Sequence, residues 1–113
     1  MDKFLNLCGM CRRAGRLSAG HDASKASVRD GTAAVCVLAK DASERLREEM
    51  SGLCRADGRE IPLLQTDHTV TELSRAIGTK AAVVTVNDEG FARKLITLYG
   101  EIAEKISERV DGE

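Results

Sequence analysis

The sequence predicts an α/β fold, a three-layer α/β/α sandwich around a small mixed β-sheet, in a single domain. Three observations carry this reading. Helical and strand-like periodicities alternate along the chain. The continuous apolar run at 33–39 and the stretch at 81–86 read as buried strands. The length of 113 residues is enough for one core and too little for two without staples.

Taken in order, Phe4, Leu7, Cys8, Cys11 and Ala14 recur at helical spacing, and Gly15 suits the helix C-terminus. Residues 16–20 form a short extended stretch. A second helix follows to about Asp30, with Asp22 or a neighbour as its cap. After the strand at 33–39, Asp41 to Glu44 looks like a helix start with a reciprocal acidic cap, and that helix reaches about Arg55. Residues 61–65 make a second short strand. Pro62 lacks a backbone donor, which places it at a sheet edge or at the strand's beginning. Thr69 and Glu72 match a capping box, opening a helix that stops at Gly78. The strand at 81–86 is followed by a last helix from about Glu89 to Val110. Its outward charges pair Glu101 with Lys105 favourably and Glu104 with Glu108 unfavourably.

Composition narrows the function classes. Aromatic residues are only 3%, which counts against base stacking on an aromatic platform. The first residues, Met1 to Asn6, lack the apolar run of a signal peptide, and no stretch approaches the roughly 18 apolar residues of a membrane span. A cytoplasmic setting, with Cys8, Cys11, Cys36 and Cys54 reduced, is therefore expected. The net charge of −1 conceals an asymmetry: residues 1–40 carry seven basic and three acidic groups, the remaining 73 carry ten and fifteen. A basic N-terminal third suits a polyanion.

Catalytic and metal chemistry find little support. Cys8 and Cys11 have C-x-x-C spacing, but no second ligand pair accompanies them, and they fall inside a helix at apolar positions. They read as small buried hydrophobes. No phosphate-binding glycine motif occurs, and Asp88-Glu89 suits a helix start better than an acid/base couple. Neither enzyme activity, nor a cofactor, nor a metal is expected. What remains is the stretch from Arg16 to Arg29. A loop with Gly20 leads into a helix whose early residues are His21, Asp22, Ser24 and Lys25. Helix N-terminal amides attract phosphate, Arg and Lys neutralise the backbone, and short polar side chains reach base edges.

Five stretches in order, across about residues 4–96, resemble the kink-turn-binding ribosomal protein superfamily that contains the archaeal large-subunit protein seven-Ae. They are Phe4 to Leu17, with the pattern L-x-G-x-x-x-R-A-G-R-L; Gly20; Val37 to Ser43; Arg75 to Lys80; and Val86 to Ala92. The likeness is greatest to the superfamily's small bacterial, YlxQ-like members. The resemblance implies the same α/β/α sandwich and a clamp on a sharply bent RNA. The helix after Gly20 would enter the widened groove at tandem sheared G·A pairs, and a second loop would pack on an extruded nucleotide. Arg16, Gly20, His21, Asp22 and Lys25 would then form the first contact. Gly78, Thr79, Lys80 and Ala81 would form the second, with Lys40 and Asp41 beside it. Where the archaeal proteins place Asn-Glu and a later Lys, this chain has Asp22, Ala23 and Ala26, and Lys25 stands one position away, about 100° around the helix. His21 has two readings, an exposed helix-cap side chain or a group that stacks on or donates to a nucleotide. The function expected is recognition of a kink-turn or similar internal loop, ribosome-associated or accessory. The alternative is a protein-interaction adaptor on the same fold that has lost base-specific recognition.

Overall fold

The computed structural model describes the backbone of residues 2–111 and the side chains of residues 2–101. The charge pairs expected from Glu101 to Glu108 involve side chains outside the described residues. Among the described residues five α-helices and four strands follow one another, with a short 3-10 turn (Ala56–Gly58) after the third helix: α1 (Lys3–Arg13), β1 (Leu17–Ala19), α2 (His21–Arg29), β2 (Val35–Leu38), α3 (Glu44–Arg55), β3 (Leu63–Gln65), α4 (Val70–Ile77), β4 (Val83–Val86) and α5 (Glu89–Asp111). The sheet order is β1-β4-β2-β3. β4 is antiparallel to both β1 and β2, and β3 is parallel to β2, so the sheet is mixed as expected.

The two central strands alternate between two cores. Val35 and Val37 of β2, with Val84 and Val86 of β4, pack with Phe4, Cys8, Cys11, Leu73, Ile77 and Leu95 from α1, α4 and α5. Cys36 and Leu38, with Val83, face Val28 of α2 and Met50 and Cys54 of α3. Burial on both faces explains why β2 reads as an unbroken apolar run and β4 as one interrupted only by Thr85. Pro62 stands just before β3, an edge strand, and its carbonyl accepts from the Cys36 amide. It fulfils both expected placements. Gly9 lets α1 approach α4, because a Cβ there would lie 2.8 Å from the Ala76 carbonyl oxygen.

Two caps differ from expectation. α2 is capped by Gly20, with no side-chain bond, and Asp22 sits inside its first turn. The acidic cap expected at the start of α3 is replaced by Ser43, whose hydroxyl accepts from the Leu46 amide. Glu44 instead pairs with Arg47, and Asp41 Oδ1 accepts from the Val70 amide at 2.8 Å, tying the end of β2 to the start of α4. The capping box of Thr69 and Glu72 forms in full.

Asp2 closes the structure at its N-terminus. Its carboxylate accepts from the amides of Phe4 and Leu5 and lies 3.3 Å from Nε2 of His68, a buried residue stacked on Phe4. Burial works to raise the Asp2 carboxyl, but the Leu5 amide, His68 and the Phe4 amide outweigh it and hold it below the ordinary range. The stability gained is therefore complete above the unfolded pKa and is lost as pH falls through the lower, folded value. Asp2→Ala should cost about 1 kcal/mol at neutral pH, as loss of an N-cap does. The loss should shrink on acidification below about pH 4. Chemical denaturation of both proteins at pH 7 and pH 3 checks this, and equal stabilities at pH 7 would refute it.

Candidate nucleic-acid interface

Sheet register decides which of the expected contact residues meet. β1, β4 and β2 lie side by side, with Ala19 opposite Val84, and Val83 opposite Leu38. The Gly20 amide donates to the Val83 carbonyl, and the Ala39 amide to the Ala82 carbonyl. One end of the sheet therefore gathers Gly20 with the start of α2, Lys40 with Asp41, and the loop that delivers the chain from α4 into β4. Arg16 is not there. Its carbonyl accepts from the Asn87 amide, at the opposite end of β1. Proximity in sequence conceals this, because the three residues of β1 carry the chain from one sheet end to the other.

Gly20 has φ 96° and ψ 170°, a region essentially reserved for glycine. Its amide is spent on the sheet and it has no side chain to cap α2. The helix thus begins with first-turn amides that no side chain covers, the arrangement that attracts anions. α2 is seated by small polar residues. Ser18 and Ser27 hydroxyls lie 2.7 Å apart, Asn87 Nδ2 donates to the Ser18 hydroxyl at 2.9 Å, and Ser24 is buried beneath the helix. The exposed side of α2 carries His21, Asp22, Ala23, Ala26 and Arg29, with Lys25 half-buried.

His21 is exposed at the first position of α2, and its side chain makes a bond to another helix. Its Nε2 lies 2.5 Å from Oε1 of Glu49 on α3, and Lys25 Nζ lies 3.2 Å from the other oxygen of that carboxylate. These bonds, that of His21 first, hold the Glu49 carboxyl below its ordinary range. Glu49 drew no attention in the sequence because it stands 24 and 28 residues from its partners.

In the second loop, Gly78 caps α4 in the left-handed conformation, and the Ala81 amide donates to the Ser74 hydroxyl at 3.0 Å. Thr79 is half-buried and Lys80 exposed. Ala81 departs from its expected role: at 4% exposure its side chain belongs to the core and offers no contact surface. Beside the loop lies a shallow depression of about 390 Å3, lined by Val70, Thr71, Ser74, Arg75, Gly78, Thr79 and Lys80. Arg75 adds a cation to this surface that is not among the expected contact residues. Its position three residues before Gly78 on a helix is the signal that brings it to this surface. A larger groove of about 650 Å3 runs between α1 and α5, past Lys3, Met10, Arg93 and Lys94, and includes none of the expected contact residues.

Other chemistry is weakly served. Burial pushes the Cys8 thiol up to about 12 and the Cys11 thiol to about 11, so neither is a thiolate at neutral pH. The Cys36 thiol is raised by its hydrogen bond with Cys54 and by burial. Among the described residues, no group of three His, Cys, Asp or Glu side chains is arranged to hold a metal ion, and no helix is long and apolar enough to cross a membrane.

Comparison with known proteins adds an independent line. Residues 2–96 match the ribosomal protein L7Ae/L30e/S12e/Gadd45 family. The chain is 30% identical over 92 residues to the RNA-binding protein YlxQ of Enterococcus faecium, covering 81% of this chain and 86% of that one. It is 32% identical over 97 residues to the protein of the same name in Bacillus subtilis (strain 168), covering 85% and 94%. Among solved structures, a Bacillus halodurans protein of unknown function superposes with a TM-score of 0.81 at 30% identity, over 88% of this chain and 99% of the other. The Giardia lamblia 15.5kD RNA binding protein superposes with a TM-score of 0.71 over 92% and 91%; at 16% identity it speaks for the fold.

The backbone at Gly20 makes a testable demand. A Cβ there would meet nothing within 4 Å, so Gly20→Ala probes conformation alone. It should lower the unfolding free energy by about 1–3 kcal/mol. A variant with unchanged denaturation midpoint would show that α2 does not depend on this conformation.

Proposed function

Because the chain belongs to the ribosomal protein L7Ae/L30e/S12e/Gadd45 family, we propose that it is a cytoplasmic RNA-binding protein that recognises a kink-turn or a similar folded internal loop, acting by binding and not by catalysis. The observation that carries this reading is the convergence, at one sheet end, of the start of α2 with no side-chain cap bond, Lys40, and the Gly78–Lys80 loop with its depression. An RNA bend presents two backbones at an angle, and a surface with two separated anion-attracting elements suits it. In this reading Gly20, His21, Asp22 and Lys25 face the groove. Gly78, Thr79, Lys80 and Arg75 receive an unstacked nucleotide, and Lys40, held beside the start of α4, neutralises phosphate between them.

Asp22 accepts hydrogen bonds and cannot donate them, and Ala23 and Ala26 make no polar contact. Recognition therefore leans on shape and on phosphate contacts more than on base edges, with affinity sensitive to salt. Association with ribosomal RNA is the setting this chemistry fits.

Titration against a kink-turn RNA and against a duplex lacking the G·A pairs tests the proposal. The kink-turn should bind more tightly. Lys80→Glu and Lys40→Glu should each weaken it by about tenfold with a shallower salt dependence, and Arg16→Glu should do less, since Arg16 lies at the other sheet end. Equal affinity for the two RNAs contradicts structured-RNA recognition. No affinity even at low salt would favour the protein-interaction adaptor instead.

A further inference from the structure

Glu49 has no part in the proposed function, yet it touches two residues that do. It belongs to α3, yet both oxygens of its carboxylate are engaged by α2, Oε1 with His21 at 2.5 Å and Oε2 with Lys25 at 3.2 Å. These are the two nitrogen-donor side chains in the first half of α2; the others exposed there are Asp22 and Ala23. A carboxylate that offers two oxygens to two donors presents the same chemistry as two non-bridging oxygens of a phosphodiester. The site where the α2 donors would receive RNA phosphate is thus already filled by an anion of the chain itself. The contact is reachable by water, with 39% of the Glu49 side chain and 45% of the His21 side chain exposed, so an external anion can compete for it.

We propose that Glu49 is a tethered competitor for RNA phosphate, an autoinhibitory contact that sets the affinity of the α2 edge. The proposal rests on the RNA-binding reading and adds its regulation. RNA engages His21 and Lys25 only by displacing Glu49, so one anion replaces another and the net Coulomb gain at these donors is small. The displaced carboxylate then faces a phosphate backbone and retains a cation from solution. Binding accordingly releases about one ion fewer than the number of phosphates contacted would give. The same contact keeps α2 from collecting polyanions through charge alone, while the loops at Gly20 and Gly78–Lys80 remain open.

The test uses the full chain, a kink-turn RNA with tandem G·A pairs, and a series of salt concentrations. Glu49→Gln and Glu49→Ala should tighten binding by about two- to fivefold at low salt, the range of an exposed ion pair. They should also steepen the dependence of log K on log salt by about one. In a double-variant cycle, most of the gain from Glu49→Gln should vanish on a Lys25→Ala background, because the competitor then has less to block. Unchanged or weaker binding by both Glu49 variants, with an unaltered salt slope, would overturn the proposal and leave the pair a structural tie between α2 and α3. That outcome leaves the RNA-binding reading standing. Failure of the wild-type chain and all variants to bind at low salt would overturn both.

Discussion

The antiparallel pairing of β2 with β4 governs the rest of the molecule. Leu38 stands opposite Val83 and Val35 opposite Val86, and successive side chains enter opposite cores. Once both faces of this pair are apolar, helices must cover both, and the three layers follow. The register also fixes one sheet end, where the Ala39 and Gly20 amides reach the Ala82 and Val83 carbonyls. The two loops of the proposed interface are thus held by backbone hydrogen bonds of the sheet and do not depend on contacts between themselves. Slipping β4 by one residue would exchange its two faces and part those loops together.

The layer beneath α2 is different in kind from the one beneath α1, α4 and α5. Thr85 is buried on the α2 side with its hydroxyl unpaired, and Asn87 Oδ1 is likewise without a partner among the described residues. Serines at 18, 24 and 27 fill the space where larger apolar groups would push the helix outward. α2 is therefore seated closely but with modest apolar burial, and its start depends on the backbone conformation of Gly20. The proposed interface includes the least hydrophobically anchored α-helix of the described fold, in which Val28 is the one fully buried apolar side chain.

Much of the fold was legible in the sequence because the signals are local. The capping box of Thr69 and Glu72, the apolar runs at β2 and β4, and Pro62 before an edge strand depend on neighbours within a few residues. The candidate site was legible only in part. Gly20, Lys40 and the Gly78–Lys80 loop could be named from the family-like stretches, and the register unites them. Arg16 was grouped with Gly20 by proximity, though a strand separates them. Asp41 and Glu44 looked like partners in one cap and instead bond to Val70 and Arg47. The pairs that escaped altogether, Glu49 with His21 and Asp2 with His68, join residues dozens of positions apart, and no periodicity announces them.

Whether the two loops at the Val83 end of the sheet act as one RNA surface is answered most directly by NMR. Amide resonances of the isotopically labelled chain would be followed as kink-turn RNA is added. Shifts should concentrate at residues 20–25, at Lys40 and Asp41, and at 75–80, with Arg16 and Asn87 little affected. Shifts concentrated instead along the α1/α5 groove, at Lys3, Met10, Arg93 and Lys94, would contradict a surface built on the β2–β4 register.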